Sequence, residues 1–246
     1  MTFAPRVRVV GPGRAGGSFQ VALSSAGWQV LGPLGRGDDL TDAARDVDLV
    51  LVATPDASIA EVAAAIEPDR RAVVAHVSGI HGLDVLQGHE RTAGLHPLVS
   101  LPSVELGAQR LSAGAWFAVA GDPLVQRVVD DLRGHWFVVA DADRGAYHAA
   151  AAVASNHLVA LMGQVERIAA GLSIPAEAYH DLARASLDNV IALGPEAALT
   201  GPVARGDWET VARHLAALDP SEVDAYRALA AAARRLVDGG GLPGDM

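Results

Sequence analysis

Val7-Arg8-Val9-Val10-Gly11-Pro12-Gly13-Arg14-Ala15-Gly16 decides how this chain is read. Val7–Val10 is a β-branched run too short for a helix, and it stops at Gly11. Ser18–Ala26 then reads as a helix and Trp28–Leu31 as a second strand, so the glycines sit at the first turn of a βαβ unit. A lone GxGxxG pattern is weak, but in this context each glycine has a task. Gly11 allows the tight turn, Gly13 lets backbone approach a pyrophosphate, and Gly16 lets helix and strand pack closely. The amides of Arg14 and Ala15, at the helix N-terminus, face the anion. The alternative is a glycine-rich turn that binds nothing.

The residues after the second strand select the nucleotide. NAD sites place an Asp or Glu about 20 residues past the motif, on the ribose 2′-hydroxyl. Here the chain reads Gly32-Pro33-Leu34-Gly35-Arg36-Gly37, with no acid before Asp38. A guanidinium suits a 2′-phosphate, so Arg36 points to NADP over NAD. The competing assignment leaves Arg36 solvated and gives the ribose to Asp38 or Asp39. Ala53-Thr54-Pro55-Asp56 follows the third strand, Asp48–Ala53, where strand ends face the cofactor; Thr54 and Pro55 are expected beside it. In the plainer reading, Asp56 or Ser58 caps a helix there.

Ala72–Val77, Thr92–Leu95, Trp116–Ala120 and His135–Ala140 continue the strands, and unbroken apolar strands between helices predict a parallel sheet covered on both faces. Leu101–Ala113 shows no clear helical stripe. After Asp143 the strand signal ends. Arg144–Leu172 reads as one long buried helix, followed by Ala176–Leu193, a loop over Gly194–Asp207, a helix over Trp208–Leu218 and a last helix from about Ser221 to Val237. The expected organisation is α/β: a Rossmann dinucleotide-binding domain over residues 1–143, an all-helical domain over 144–238, and a flexible tail over 239–246.

Composition narrows the chemistry. The chain has 246 residues, 50% of them hydrophobic, which supplies a core and excludes disorder. It has no cysteine, and its 19 basic residues are all arginine, so thiolate, Schiff-base and P-loop-lysine chemistry are impossible. A net charge of −10 repels phosphate backbones, so nucleic acid is not an expected partner. No segment reads as a signal peptide or membrane span, and a soluble cytoplasmic protein is expected. The nine histidines form no HxxxH or HExxH pattern and GxSxG is missing, so neither a metal site nor a hydrolase elbow is expected.

Gly11–Gly16, Val52–Asp56, His76–Gly79 and Gly94–Leu98 together resemble the 6-phosphogluconate dehydrogenase-like superfamily, which includes ketopantoate reductase, prephenate dehydrogenase, pyrroline-5-carboxylate reductase and β-hydroxyacid dehydrogenases. Tyr147-His148, Ser155-Asn156 and Thr200–Asp207 resemble more specifically the Rossmann-like proteins with a C-terminal helical domain of unknown function. The resemblance covers about residues 6–236. It implies an NADP-dependent reductase of a small oxo-acid or imine, with substrate held between the domains and a homodimer formed through the helical one. One departure is serious. The β-hydroxyacid dehydrogenases place a catalytic lysine four residues before an asparagine; Asn156 matches the asparagine, but the lysine position is Ala152.

Another proton donor is therefore needed. His148 lies at i−8 from Asn156, on the same face of a regular helix, and His96 follows the fifth strand; both are candidates. Ser78 ends the fourth strand, where it could meet nicotinamide or substrate, or serve as a turn residue. Arg205 could bind a substrate carboxylate, whereas Asp207 is better read as a helix cap. Tyr147 and Asn189 are further candidates. The expectation is an NADP-dependent oxidoreductase. The alternative is a non-catalytic NADP(H)-binding sensor or scaffold.

Overall fold

The computed structural model describes residues 4–238, so the tail read over residues 239–246 lies outside the described residues. The chain forms two compact units, the first running to Ser155 and the second starting at Asn156. The first unit is built on a seven-stranded sheet: β1 (Arg6–Val10), β2 (Gln29–Leu34), β3 (Leu49–Val52), β4 (Val73–His76), β5 (Thr92–Pro97), β6 (Trp116–Gly121) and β7 (His135–Val138). Its order is β2-β1-β3-β4-β5-β6-β7. The order reverses between β1 and β3, which pair in parallel from Val7↔Leu49 to Val10↔Val52.

The helices of this unit are α1 (Arg14–Ser25), α2 (Ile59–Ala64), α3 (Val104–Leu111), α4 (Leu124–Asp131) and α5 (Arg144–Ala152). Strand alternation sends Val7, Val9, Leu49, Leu51, Val73 and Ala75 into a core with Phe19, Leu23, Phe117 and Val128. Val10, Val50, Val52 and Val74 go to the opposite face, against Ala43, Ile59, Ala63 and Leu86. Both faces are thus covered, as unbroken apolar strands require. Trp28 is 3% exposed in the first core, and its Nε1 donates to Asp131 Oδ2 at 2.9 Å.

Three expectations about this unit change. The sheet is not wholly parallel, because β6 runs antiparallel to β5 with Pro97 opposite Phe117 and Ala93 opposite Gly121. The segment joining them never returns to the opposite edge of the sheet, and Leu98 N already donates to Trp116 O at 2.8 Å. A helix does occupy the segment without a stripe. Ser103 caps α3 by accepting from Leu106 N, and α3 packs on α1 through close approach of backbone. A methyl at Gly17 would meet Val104 Cγ2 at 2.7 Å, and one at Gly107 would collide with Ser18. Helix α1 begins at Arg14, before Ser18, so the glycine turn runs directly into it.

The long helix is also subdivided. Beyond α5, Val153–His157 is π-helical, and α6 (Leu158–Ala169) follows. Its surface is not enclosed within the chain: Val153 is 56% and Val159 73% exposed.

The second unit continues with α7 (Ala176–Leu193), α8 (Pro195–Ala198), α9 (Pro202–Arg205), α10 (Trp208–Ala217) and α11 (Pro220–Asp238), so the expected loop over 194–207 holds two short helices, each begun by a proline. Asp207 caps α10, accepting from Thr210 N at 3.1 Å, the role read for it from sequence. Gln164 donates to Glu222 O, and Arg167 pairs with the Glu222 carboxylate, tying α6 to α11. Trp208 lies under the Arg234 guanidinium, 4.9 Å from its ring centroid. Among the described residues no helix is long and apolar enough to cross a membrane.

Candidate functional site

The first group of site residues gathers where the strand order reverses, at the carboxyl ends of β1 and β3. The three motif glycines differ there in what surrounds them. Gly11 has φ +98°, and a methyl group on it would come within 2.7 Å of the Ala53 carbonyl oxygen. One on Gly16 would strike the Gly11 carbonyl and approach Val9 Cγ1 to 3.0 Å. One on Gly13 would meet nothing within 4 Å. Outer glycines are demanded by packing; the middle one borders open space at the start of α1. Thr54 adjoins this turn, its amide nitrogen 3.0 Å from where a Gly11 methyl would stand, and its Oγ1 is buried without a hydrogen-bond partner. An orphaned buried hydroxyl beside free helix amides fits an anionic ligand.

Arg36 follows β2, whose Leu34 carbonyl accepts from Gly11 N at 2.8 Å. Its neighbour Gly35 abuts the turn, with a methyl there 3.5 Å from Pro12 Cγ, and Arg36 itself is exposed. The two acids that could replace it are engaged within their own loop: Asp38 Oδ2 accepts from Gly35 N at 2.7 Å, and Asp39 Oδ1 from both the amide and the hydroxyl of Thr41. Neither Asp56 nor Ser58 makes the expected cap. The short helix Asp56–Ser58 starts after Pro55, and α2 has no side-chain cap bond. A capping hydroxyl needs an extended backbone, whereas Ser58 is already helical, with φ −103° and ψ −6°.

A second group forms at the ends of β4 and β5, under α5. His76 is fully buried. Its Nδ1 accepts from Ser78 N at 3.2 Å, so Nε2 carries the proton and donates to Gly82 O at 3.1 Å. Burial pulls its pKa down to about 4. Ser78 Oγ accepts from the amides of Ile80 and His81, which makes it a fastening of this turn. Gly79 has no room for a side chain: a methyl there would lie 2.8 Å from His148 Cδ2 and 2.9 Å from His96 Nε2.

His96 Nδ1 is 2.6 Å from the Tyr147 hydroxyl. The His96 ring meets the rings of Tyr147 and His148 edge-on, at 5.6 and 6.0 Å between centroids. Burial is the main reason His96 also falls to about 4, with the charge of neighbouring His148 adding to it. Burial raises Tyr147 above its usual value. Both members of the pair are therefore neutral near pH 7, sharing one short hydrogen bond.

The fold thus brings Ser78, His96, Tyr147 and His148 together, while Asn156, Asn189 and Arg205 lie in the second unit. The π-helical turn means that Asn156 does not follow His148 at α-helical spacing. Gly79, which closes the His76–Gly79 motif, matters for a side chain it lacks. Arg144, 2% exposed, enters the cluster from the start of α5, and no local sequence pattern marks it for that place. Among the described residues, no group of three or more His, Cys, Asp or Glu side chains could hold a metal ion.

Residues 117–233 match the domain of unknown function DUF2520. No curated protein matches the sequence. Among solved structures, a candidate NADP oxidoreductase from Bacteroides fragilis is 18% identical with a TM-score of 0.80, over 94% of this chain and 98% of that one. A protein from Thermotoga maritima is 25% identical with a TM-score of 0.71, over the same shares of each chain, 94% and 98%. A reductive aminase from Aspergillus terreus, in complex with NADPH and ethyl levulinate, is 14% identical with a TM-score of 0.69, over 97% of this chain and 96% of that one.

Proposed function

We propose that this chain, whose residues 117–233 match DUF2520 and whose fold resembles that of a candidate NADP oxidoreductase, is an NADP-dependent oxidoreductase of the 6-phosphogluconate dehydrogenase type acting on a small oxo-acid or imine. The observation that carries this reading is the open space at Gly13 between two closed glycines, with the orphaned Thr54 hydroxyl beside it. Gly11, Gly13, Arg14, Ala15 and Gly16 would cradle the pyrophosphate, Thr54 and Pro55 would border it, and Arg36 would grip the 2′-phosphate. The reduced cofactor, when bound, supplies a hydride.

The chain's own task is then to deliver a proton to the oxygen or nitrogen of the reduced double bond. In this reading Tyr147 donates it. His96 restores the tyrosine proton through Nδ1, and His148 beside it refills His96. Ser78 holds the turn on which both imidazoles pack. Asn156, Asn189 and Arg205 belong to the second unit, and no part of this proton path rests on them. The phenol takes over the task of the lysine that Ala152 replaces. The unit's exposed apolar helix α7 supports a homodimer through the helical half.

A calorimetric titration of the full chain with NADPH and NADH tests the cofactor half. Micromolar NADPH binding is expected, at least tenfold tighter than NADH, with Arg36→Ala removing the preference. Oxidation of NADPH by a panel of 2-oxo acids and cyclic imines, lost in Tyr147→Phe, tests the chemistry. NADPH binding with no turnover across the panel would favour the sensor or scaffold reading, to which the lysine-free sequence lends weight. No binding of either nucleotide would overturn both.

A further inference from the structure

Arg144 carries a positive charge into the cluster, with Asp141 paired to its Nε side. It is 2% exposed. Its Nε donates to Asp141 Oδ1 at 2.9 Å, while the Asp141 side chain is itself 67% exposed. Nη1 and Nη2 donate to no described residue. A guanidinium has five N–H donors, and the four on Nη1 and Nη2 are not sealed from solvent, which leaves the planar fork open to an anion arriving from water. Nη2 lies against the middle of β5, 3.5 Å from where a methyl on Gly94 would stand; the His76 ring lies 3.4 Å from the same point. The His96–Tyr147 pair and His76 are uncharged near neutral pH, and Asp56 is a second carboxylate whose charge reaches both histidines.

We infer that Arg144 is the anchor for a carboxylate on the substrate, its two terminal nitrogens binding the two oxygens of a planar oxyanion beside Tyr147. This rests on the oxidoreductase reading and narrows its substrate class to acids whose reducible carbon adjoins the carboxylate. The planar fork is the geometric match for a carboxylate. Fixing that group next to the phenol holds the neighbouring carbonyl or imine within reach of the proton donor. Gly79 contributes by lacking a side chain, since a methyl there would crowd His96 and His148.

The test uses oxamate, a carboxylate that cannot be reduced in place of a 2-oxo acid, titrated into the NADPH-saturated full chain. Oxamate is expected to bind, ethyl oxamate at least tenfold more weakly, and Arg144→Gln to weaken oxamate at least tenfold with no change for the ester. Asp141→Asn, which removes the competing carboxylate and keeps the arginine, is expected to tighten oxamate severalfold; this arm stands if Arg144→Gln does not fold. Inorganic phosphate binding in preference to oxamate would overturn the inference, as would oxamate binding lost in Arg205→Gln and retained in Arg144→Gln. Oxamate failing to bind while NADPH still does would sink this inference alone, whereas loss of NADPH binding in the unaltered chain would sink the reading beneath it.

Discussion

The two units solve burial differently. In the first, each sheet face has its own closed core, with Phe19, Leu23 and Phe117 on one side and Ile59 and Leu86 on the other fully buried. In the second, α7 has no buried residue over its 18 positions, and Leu187, Val190 and Ile191, at i, i+3 and i+4, are 52%, 40% and 75% exposed. A helix with that spacing has an apolar stripe made to be covered. The first unit closes both cores by its own packing and leaves Trp116, Trp136 and Val138 exposed on β6 and β7. The second leaves this stripe uncovered among the described residues.

The strongest way to break this contrast is inside the first unit. Gly16→Ala forces a methyl into the Gly11 carbonyl, and a loss of at least about 4 kcal/mol in a urea unfolding curve is expected. A near-normal curve would mean the turn is looser than its geometry. Acid is the next probe. His76 titrates near 4 when folded but near 6.5 when unfolded, so the unfolded chain binds more protons between those values. Stability is expected to be full above about pH 6.5 and to fall by up to about 3 kcal/mol as pH drops toward 4. That figure is for His76 alone; His96, also near 4 when folded, adds a fall of the same sign, so His76→Asn should reduce the total slope by about half.

Ile191→Asp places a charge on the exposed stripe of α7 and should weaken self-association by about 2 kcal/mol, or some thirtyfold, in sedimentation equilibrium. An unaltered protein that sediments as a monomer would remove the dimer from the proposal. The smallest effect is the most selective. Gly13→Ala has open space for its methyl group and an ordinary φ of −68°. It should melt like the unaltered chain yet bind NADPH about tenfold more weakly, roughly 1.4 kcal/mol.

What was legible in the sequence was what the backbone writes locally. The glycine turn, the strand runs and the Asp207 cap depend on residues a few positions apart, and they could be read as such. Helix α3 could not, because Gly17 and Gly107 pack it by omission of side chains and leave no apolar stripe to see. The reversal of β6 was hidden because a buried strand has the same composition in either direction. His96, His148 and Ser78 were named as candidates one by one. Their meeting with Tyr147 and Arg144 was not, since His96 and Tyr147 are 51 positions apart and nothing local encodes the contact. The π-helical turn at Val153–His157 was equally silent, as its residues suit an ordinary helix.

The tryptophans turn the contrast between the units into an optical one. Trp28 is sealed in the first core and bonded to Asp131, whereas Trp208 is the second unit's sole indole and rests beneath a guanidinium. Their emission should differ in colour and in access to a soluble quencher such as acrylamide. With Trp116 and Trp136 replaced by Phe, a single fluorescence trace would carry one signal from each unit, and the order in which the two give way could be watched without any added label.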